Sequence, residues 1–408
     1  MLRLKAGGRL RAAIKNSLPR EGEHVSIHWH GIRVPNAEDG VPYLTQPPVP
    51  PGESFAYDFA PPDAGTFFFH THCNTAEQLG RGLAGILIVE GDEPEPYDAE
   101  RLIVLRDWTI GEDGKFGPFL TSEAARAGTF GAIRSCNDMI APDIAVPASA
   151  DVRLRILNID RTRNMQLGIE GAECAIIAID GMPVSPFPLK AWFTGPAMRL
   201  DLAMRSPAEG RATLYDYFAP EPVPLAHFRS EGPPMRPRAF DPAGLKPNPI
   251  AEPDLESAER QVFSFSATAT GAPVAAGAAV PEGVPAILLD DLCTTPQTFW
   301  AINKRAWPGR DHSLLPPPLA TLRRGGSYIF ELRNTTPRMH PIHLHGHSFK
   351  WLRSNKRDLP VHHADTVLLL PKERAEIAFV ADNPGDWMFH CHIIEHQETG
   401  MMSYIRVA

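Results

Sequence analysis

A cysteine between two histidines near the end of the chain, His390-Cys391-His392, is followed by His396 and then by Met401. No other stretch constrains this sequence as much. In an extended strand, successive side chains point to opposite faces. His390 and His392 would then face one way and Cys391 the other, so one short strand could serve two metal centres joined by its backbone. Thiolate, imidazole and a weak thioether form the ligand set that suits an electron-transfer copper.

Three further His-x-His pairs accompany this stretch: His28/His30, His70/His72 and His343/His345, the last preceded by His340. Period two presents both imidazoles of each pair on one strand face. A lone histidine is ordinarily a surface or satisfied core residue, and His24, His227, His312, His362 and His363 are read that way. Four paired sets resist that reading. With Cys391, His340, His396 and Met401 set aside as one mononuclear site, eight histidines remain, divided equally between the two ends of the chain. Eight imidazoles are too many for one ion, so several ions held between two domains are expected. Nitrogen-rich sites beside a thiolate site favour copper; zinc gives no reason for the Cys/His/His/Met set.

The surrounding pattern repeats. Gly8–Asn16, Val25–Gly31, Ser54–Phe59, Gly65–His72 and Gly85–Val89 read as strands. Gly325–Pro337, His340–Gly346, Ala375–Val380, Gly385–His392 and Met402–Val407 parallel them, and Ala150–Asn158 with Met165–Ile169 carries the same frame without histidines. Three copies of one β unit, two with ligands and one bare, follow. The 408 residues allow between two and three domains at ~150 residues each. Domains are expected over 1–92, 93–255 and 256–408, with weak stretches at Glu93–Tyr97, Pro220–Pro253 and Ala267–Ala279. The 42 prolines, roughly twice the usual ~5%, suit loops between short strands.

Other classes fall away. Net charge is −8 with both signs interspersed, which argues against nucleic-acid binding. Nothing approaches the ~18–20 apolar residues of a membrane span. Cys73, Cys136, Cys174, Cys293 and Cys391 are too scattered for a disulfide framework, although one pair among the first four is allowed. Met1–Gly8 has no apolar signal-peptide core.

His28-Trp29-His30-Gly31, His70-Thr71-His72, His340-Pro341-Ile342-His343-Leu344-His345-Gly346 and His390-Cys391-His392 through Met401 together resemble the four signatures of the multicopper oxidases, the laccase-like bacterial group. The resemblance covers nearly the whole chain. It implies an all-β fold of three cupredoxin-like Greek-key sandwich or barrel domains and four copper ions. By position, it makes His340, Cys391 and His396 the type 1 ligands, with Met401 axial and lowering the potential. It makes His28 and His343 the type 2 ligands, and His30, His70, His72, His345, His390 and His392 those of the type 3 pair. The expected activity is one-electron oxidation of a small reducing substrate, a phenol or aromatic amine, at an exposed His396 or His340. Electrons would pass through Cys391 to His390 and His392, and O2 would be reduced to water.

The same resemblance gives Asp39 a role in proton delivery, leaves His347 outside the ligand set and makes Asp365 structural. Gln397 stands where the family often has a second acid, with Glu398 next; an amide cannot supply a proton as a carboxylate does. Thr71 stands where the last unit has Cys391, so the first unit has no soft ligand, which argues against a nitrite-reductase plan. A cuprous or ferrous oxidase and a non-catalytic copper-binding protein are the alternatives. The loops Pro220–Pro253 and Lys304–Pro318 are candidate walls of the substrate site. The family's strand ahead of Gly7-Gly8 and its export signal are not legible. A truncated start, an exposed sheet edge in the first domain and a periplasmic or secreted monomer are therefore expected.

Overall fold

The computed structural model describes residues 1–92, 97–267, 299–307 and 315–408. His312, Cys293, residues 268–279 of the Ala/Gly-rich stretch, 93–96 and 308–314 lie outside the described residues.

Three pairs of sheets follow one another along the chain. The first pair sets the order Leu2–Lys5, Ala84–Glu90, Gly65–Thr71, Ile27–His30 against a ribbon of Leu10–Lys15 and Ser54–Phe59. The ribbon strands alternate, Leu-Arg-Ala-Ala-Ile-Lys and Ser-Phe-Ala-Tyr-Asp-Phe. Leu10, Tyr57 and Phe59 therefore point inward onto Trp29, Phe67, Leu87 and Val89. Six- and five-stranded sheets form the middle unit, and six- and five-stranded sheets the last. Neighbours that are not consecutive in sequence mark the crossovers between sheets. This is the cupredoxin-like all-β architecture, with only short helices at Thr75–Gly80, Ala124–Ala127 and Ile394–Glu398 among the described residues.

Two expectations need correction. A strand does precede Gly7-Gly8: Leu2–Lys5 pairs in parallel with Ala84–Glu90, Leu2 opposite Leu87 and Lys5 opposite Glu90. Four residues are too short a run to carry a periodicity signal. The Pro220–Pro253 stretch is not one loop, because Val223–Glu231 is a strand between Arg211–Asp216 and Asp143–Pro147. Pro224 is tolerated there because it lies opposite Tyr215 at a register shift, where the ladder is already interrupted.

The strand Asp151–Asn158 alternates charged and apolar residues, yet all eight are buried. Its polar face meets Asp201 of its own sheet and Thr66 of the first unit instead of water. Arg153 donates to Asp201 Oδ2 from Nε at 2.9 Å, and Arg155 Nη1 donates to Thr66 Oγ1 at 2.8 Å. Apolar contacts weld the units further. Phe68, Ile86 and Ile88 of the first unit pack on Leu157, Ile159 and Ala197 of the middle unit. Val41 packs with Trp307, Met388, Met402 and Tyr404 of the last unit. Cys73, Cys136, Cys174 and Cys391 carry free thiols.

Candidate metal centre

In both outer units the histidine pairs are brought together by antiparallel pairing of neighbouring strands. His28 lies opposite His70 on Ile27–His30 and Gly65–Thr71, and His343 lies opposite His390 on His340–Leu344 and Gly385–Cys391. His72, His345 and His392 follow just beyond their strands. The two half-sites face each other between the first and last units. The His28 and His345 rings stack with centroids 3.8 Å apart, as do His30 and His343. His70 and His392 approach edge to face at 5.1 Å, and His72 and His390 at 5.5 Å. All eight side chains are buried.

Four of the rings are held at Nδ1 by backbone carbonyls, and most of the eight present an open nitrogen. His28 Nδ1 donates to the Asp39 carbonyl (2.9 Å), His70 Nδ1 to Thr71 O (2.9 Å), His343 Nδ1 to Asp365 O (2.8 Å) and His390 Nδ1 to Cys391 O (2.9 Å). Nε2 of His28, His70, His72 and His343, Nδ1 of His30 and both ring nitrogens of His392 have no hydrogen-bond partner although buried. Buried polar atoms are nearly always paired. Imidazoles anchored through one N–H with the other nitrogen open are how proteins present metal ligands. His345 Nε2 lies 3.0 Å from His390 Nε2, two nitrogens that a shared cation would reconcile. Burial holds His30, His70, His72, His345, His390 and His392 well below the usual imidazole range, and so neutral and ready to ligate.

The opposite face of the same strand carries a second constellation. Cys391 Sγ lies 3.6 Å from His340 Nδ1 and 3.7 Å from His396 Nδ1, and the two nitrogens are 3.1 Å apart. A trigonal site with ligands at ~2.0–2.3 Å from one ion has ligand–ligand edges of about 3.5 Å, so the three atoms fit such a site. His340 Nε2 is held by Thr336 Oγ1 at 2.8 Å. Met401 accepts a backbone hydrogen bond from Cys391 N (3.0 Å) and gives one to His396 O (2.9 Å), which ties its backbone to both residues. Burial raises the Cys391 thiol, and burial followed by the charge of Arg338 lowers His340 to about 3. A thiolate in this pocket needs a cation. In the first unit, Thr71 Oγ1 instead hydrogen-bonds Gln78 Oε1 at 2.5 Å and builds no such site.

His340 and His396 are not exposed, contrary to expectation; both are almost fully buried. His396 sits on the helix Ile394–Glu398, packed against the helices Thr75–Gly80 and Ala124–Ala127, with the Trp300 ring 4.4 Å from its own. His396 instead forms part of the floor of a groove of about 350 Å³. Phe130 and Phe218, 54% and 47% exposed, stand on the groove wall with Pro220. Of the two loops expected as walls, only this beginning of Pro220–Pro253 contributes among the described residues. In Lys304–Pro318, Trp307 and Leu315 pack elsewhere, near Val41 and Met388, and 308–314 lie outside the described residues.

Asp39, at the end of a 3₁₀ turn over Asn36–Glu38, is buried against the histidine cage. Its Oδ2 accepts from His345 Nδ1 at 2.9 Å. Oδ1 lies 3.2 Å from His28 Nδ1, but that N–H is spent on the Asp39 carbonyl, so Oδ1 has no donor. Gln397 is buried with Oε1 unpartnered, and Glu398 Oε1 accepts from Ala76 N at 2.6 Å. His30, His343 and Asp365 also converge. Arg199 already occupies both Asp365 oxygens, so this trio is a hydrogen-bonded brace and not another ion site. Against the effect of burial, Arg199 keeps the Asp365 carboxyl well below the usual carboxylate range.

Sequence reasoning missed Arg199, Trp300, Thr336 and Arg338. For Arg199 a signal existed: a guanidinium in the otherwise apolar Ala197-Met198-Arg199-Leu200 is out of place unless paired. Gly346, after His345, shows how tightly the cage is backed. Its φ is +66°, and a Cβ there would lie 2.3 Å from the Trp387 ring. Gly346→Ala is expected to destabilise the last unit by about 2–4 kcal/mol. A melting temperature within a degree or two of the parent's would refute this.

Residues 1–94 and 291–408 match family models described as multicopper oxidase. A multi-copper oxidase from Pseudomonas thermotolerans superposes with a TM-score of 0.87 at 42% identity, covering 100% of this chain and 91% of that one. Multicopper oxidase MmcO of Mycobacterium tuberculosis is 31% identical over 98% of this chain and 80% of its own length. A laccase of Cryphonectria parasitica is 26% identical over 97% of this chain and 74% of its own length. No helix among the described residues is long and apolar enough to cross a membrane.

Proposed function

Because this chain belongs to the multicopper oxidase family, whose members bind four copper ions and use O2, we propose that it is a laccase-like enzyme for phenols or aromatic amines. The observation that carries this reading is Cys391. Its thiol completes the trigonal set with His340 and His396, while its carbonyl accepts from His390 of the histidine cage. The reading makes His340, Cys391 and His396 the type 1 ligands with Met401 axial, and His28 and His343 the type 2 ligands. His30, His70, His72, His345, His390 and His392 serve the type 3 pair. When bound, copper supplies the one-electron redox steps and the reduction of O2 to water.

The chain's own residues do the rest. Cys391 and His390 give electrons a route through adjacent residues of one strand. Burial of the cage keeps bulk water from the reacting site. Asp39, with one carboxylate oxygen anchored on His345 and the other unpartnered, holds a proton acceptor and donor beside His28.

The groove over His396 supports the aromatic substrate class. Phe130 and Phe218 offer ring faces to a planar molecule. Its charges are three arginines against one aspartate: Arg134 is paired with Asp216 at 2.8 Å and Arg163 with Asp107 at 2.6 Å. Arg338 is exposed and has no ion-pair partner among the described residues. Such a mouth repels small metal cations and draws anionic or electron-rich aromatics. Arg338→Glu is expected to lower kcat/KM for a carboxylated phenol by about 5- to 10-fold at low salt and to leave a neutral phenol within twofold. Equal effects on both would remove the steering role.

Spectroscopy of the copper-loaded protein tests the assignment. An intense blue absorption from the Cys391 site and EPR signals of both type 1 and type 2 copper are expected; colourless protein with full copper content would sink it. Faster turnover of ferrous or cuprous ions than of a phenol would move the enzyme to the metallo-oxidases. By resemblance the protein acts in the periplasm or outside the cell.

A further inference from the structure

Arg199 lies on the strand Arg199–Arg205 of the copper-free middle unit, fully buried where the three units meet. Its five donors are all used. Nη1 donates to Asp365 Oδ1 (2.9 Å) and Ala197 O (3.1 Å), Nη2 to Asp365 Oδ2 (2.6 Å) and Asp180 O (2.8 Å), and Nε to Thr66 O (3.2 Å). The fork therefore ties Asp365 of the last unit to Thr66 of the first. Asp365 Oδ1, also hydrogen-bonded by Thr366 Oγ1, lies 3.2 Å from His30 Nε2 and 3.4 Å from His343 Nδ1. Those two rings stack on each other across the unit boundary, and their other nitrogens, His30 Nδ1 and His343 Nε2, are the unpartnered ones.

We propose that Arg199 is a positioning residue for the copper cage. It fixes Asp365, whose carboxylate lies against His30 Nε2 of the first unit and whose backbone carbonyl takes the His343 Nδ1–H of the last, and so sets which ring nitrogen of each is free to ligate. The middle unit, which has no ligand of its own, thereby determines the relative placement of two ligands from different units. Outer partners of metal-bound histidines orient the ring and fix its tautomer, and losing one weakens metal binding about 10–100-fold. Lysine cannot replace the arginine here, because a single ammonium cannot hold both carboxylate oxygens in one plane. The same fork accounts for Gly31 after His28-Trp29-His30. With φ at +82°, a Cβ there would lie 2.3 Å from Arg199 Nη2 and 2.6 Å from Asp365 Oδ2.

The inference rests on the copper assignment above, and wild-type protein loaded with copper separates the two. If wild type is colourless, the assignment itself fails; if wild type is blue, only the variants bear on Arg199. Arg199→Lys is expected to keep the blue type 1 band and its EPR signal. Its type 2 hyperfine splitting should shift, and chelator titration should show the cage ions bound at least 10-fold more weakly. Unchanged splitting and affinity would overturn the proposal. Should the lysine variant not fold, Arg199→Met combined with Asp365→Asn and Asp180→Asn removes the buried charges together and is read the same way. Absence of the blue band from both variants would also overturn it, since the bridge would then be a condition of folding and not of ligand placement.

Discussion

Cys391→Ser is expected to abolish the blue absorption and to lower substrate oxidation by on the order of 10³-fold or more, a barrier increase of about 4 kcal/mol. Serine fills nearly the same volume in a site where Cys391 is buried, so the last unit should still fold. A hydroxyl is a hard and weak ligand where a soft thiolate is required. His340 and His396 alone would hold copper poorly, and bound copper should fall from four ions to three. Four of the eight cage histidines, His28, His70, His343 and His390, keep their anchors on the Asp39, Thr71, Asp365 and Cys391 carbonyls, the last a backbone group that serine retains. The cage should therefore stay loaded and give its type 2 EPR signal. The measurement is copper stoichiometry with EPR beside steady-state turnover of a phenol. A variant that retains a tenth of parental turnover would show that electrons reach the cage by another route.

Asp39→Asn should act at the other end of the cycle. The amide keeps the size of the side chain and, through its oxygen, the contact to His345 Nδ1, but it removes the ionisable group beside His28. Loss of a positioned general acid costs about 10²–10⁴-fold. Reduction by substrate without O2 should proceed at the parental rate, because the groove and Cys391 are untouched. In air the variant should stay bleached long after the parent has recovered its blue colour. Reoxidation as fast as the parent's would leave Asp39 as a turn residue that merely braces two rings. Gln397 gives the contrast: as an amide already, it leaves Asp39 as the carboxylate in direct contact with the cage rings on the side of His28 and His345.

The legible part of this protein is the part written in local spacing. Period-two alternation marks Leu10–Lys15, Ser54–Phe59 and the histidine strands because side-chain direction on a strand depends only on position parity. The three-unit β architecture follows from recurrence of that pattern. What was not legible depends on distant partners. The alternation in Asp151–Asn158 looks solvent-facing until Asp201 and Thr66 are placed against it. Val223–Glu231 hides behind its prolines because the register shift that excuses Pro224 belongs to the neighbouring strand. His396 looks exposed from its place after a loop, yet Trp300 and two other helices cover it. Arg199 and Asp365 are 166 residues apart, and no spacing rule links them.

The division of the cage between the first and last units has a consequence for how the enzyme matures. During synthesis His28, His30, His70 and His72 emerge long before His343, His345, His390 and His392. A nascent chain thus carries half a basket of imidazoles with nothing to close it, and contacts of such long range form late. Metal capture becomes the final act of assembly, a latch that shuts only after the bare middle unit has brought both ends together. A chain stalled or clipped before residue 340 would present the first four histidines without Cys391, and so could scavenge metal without gaining a path for electrons.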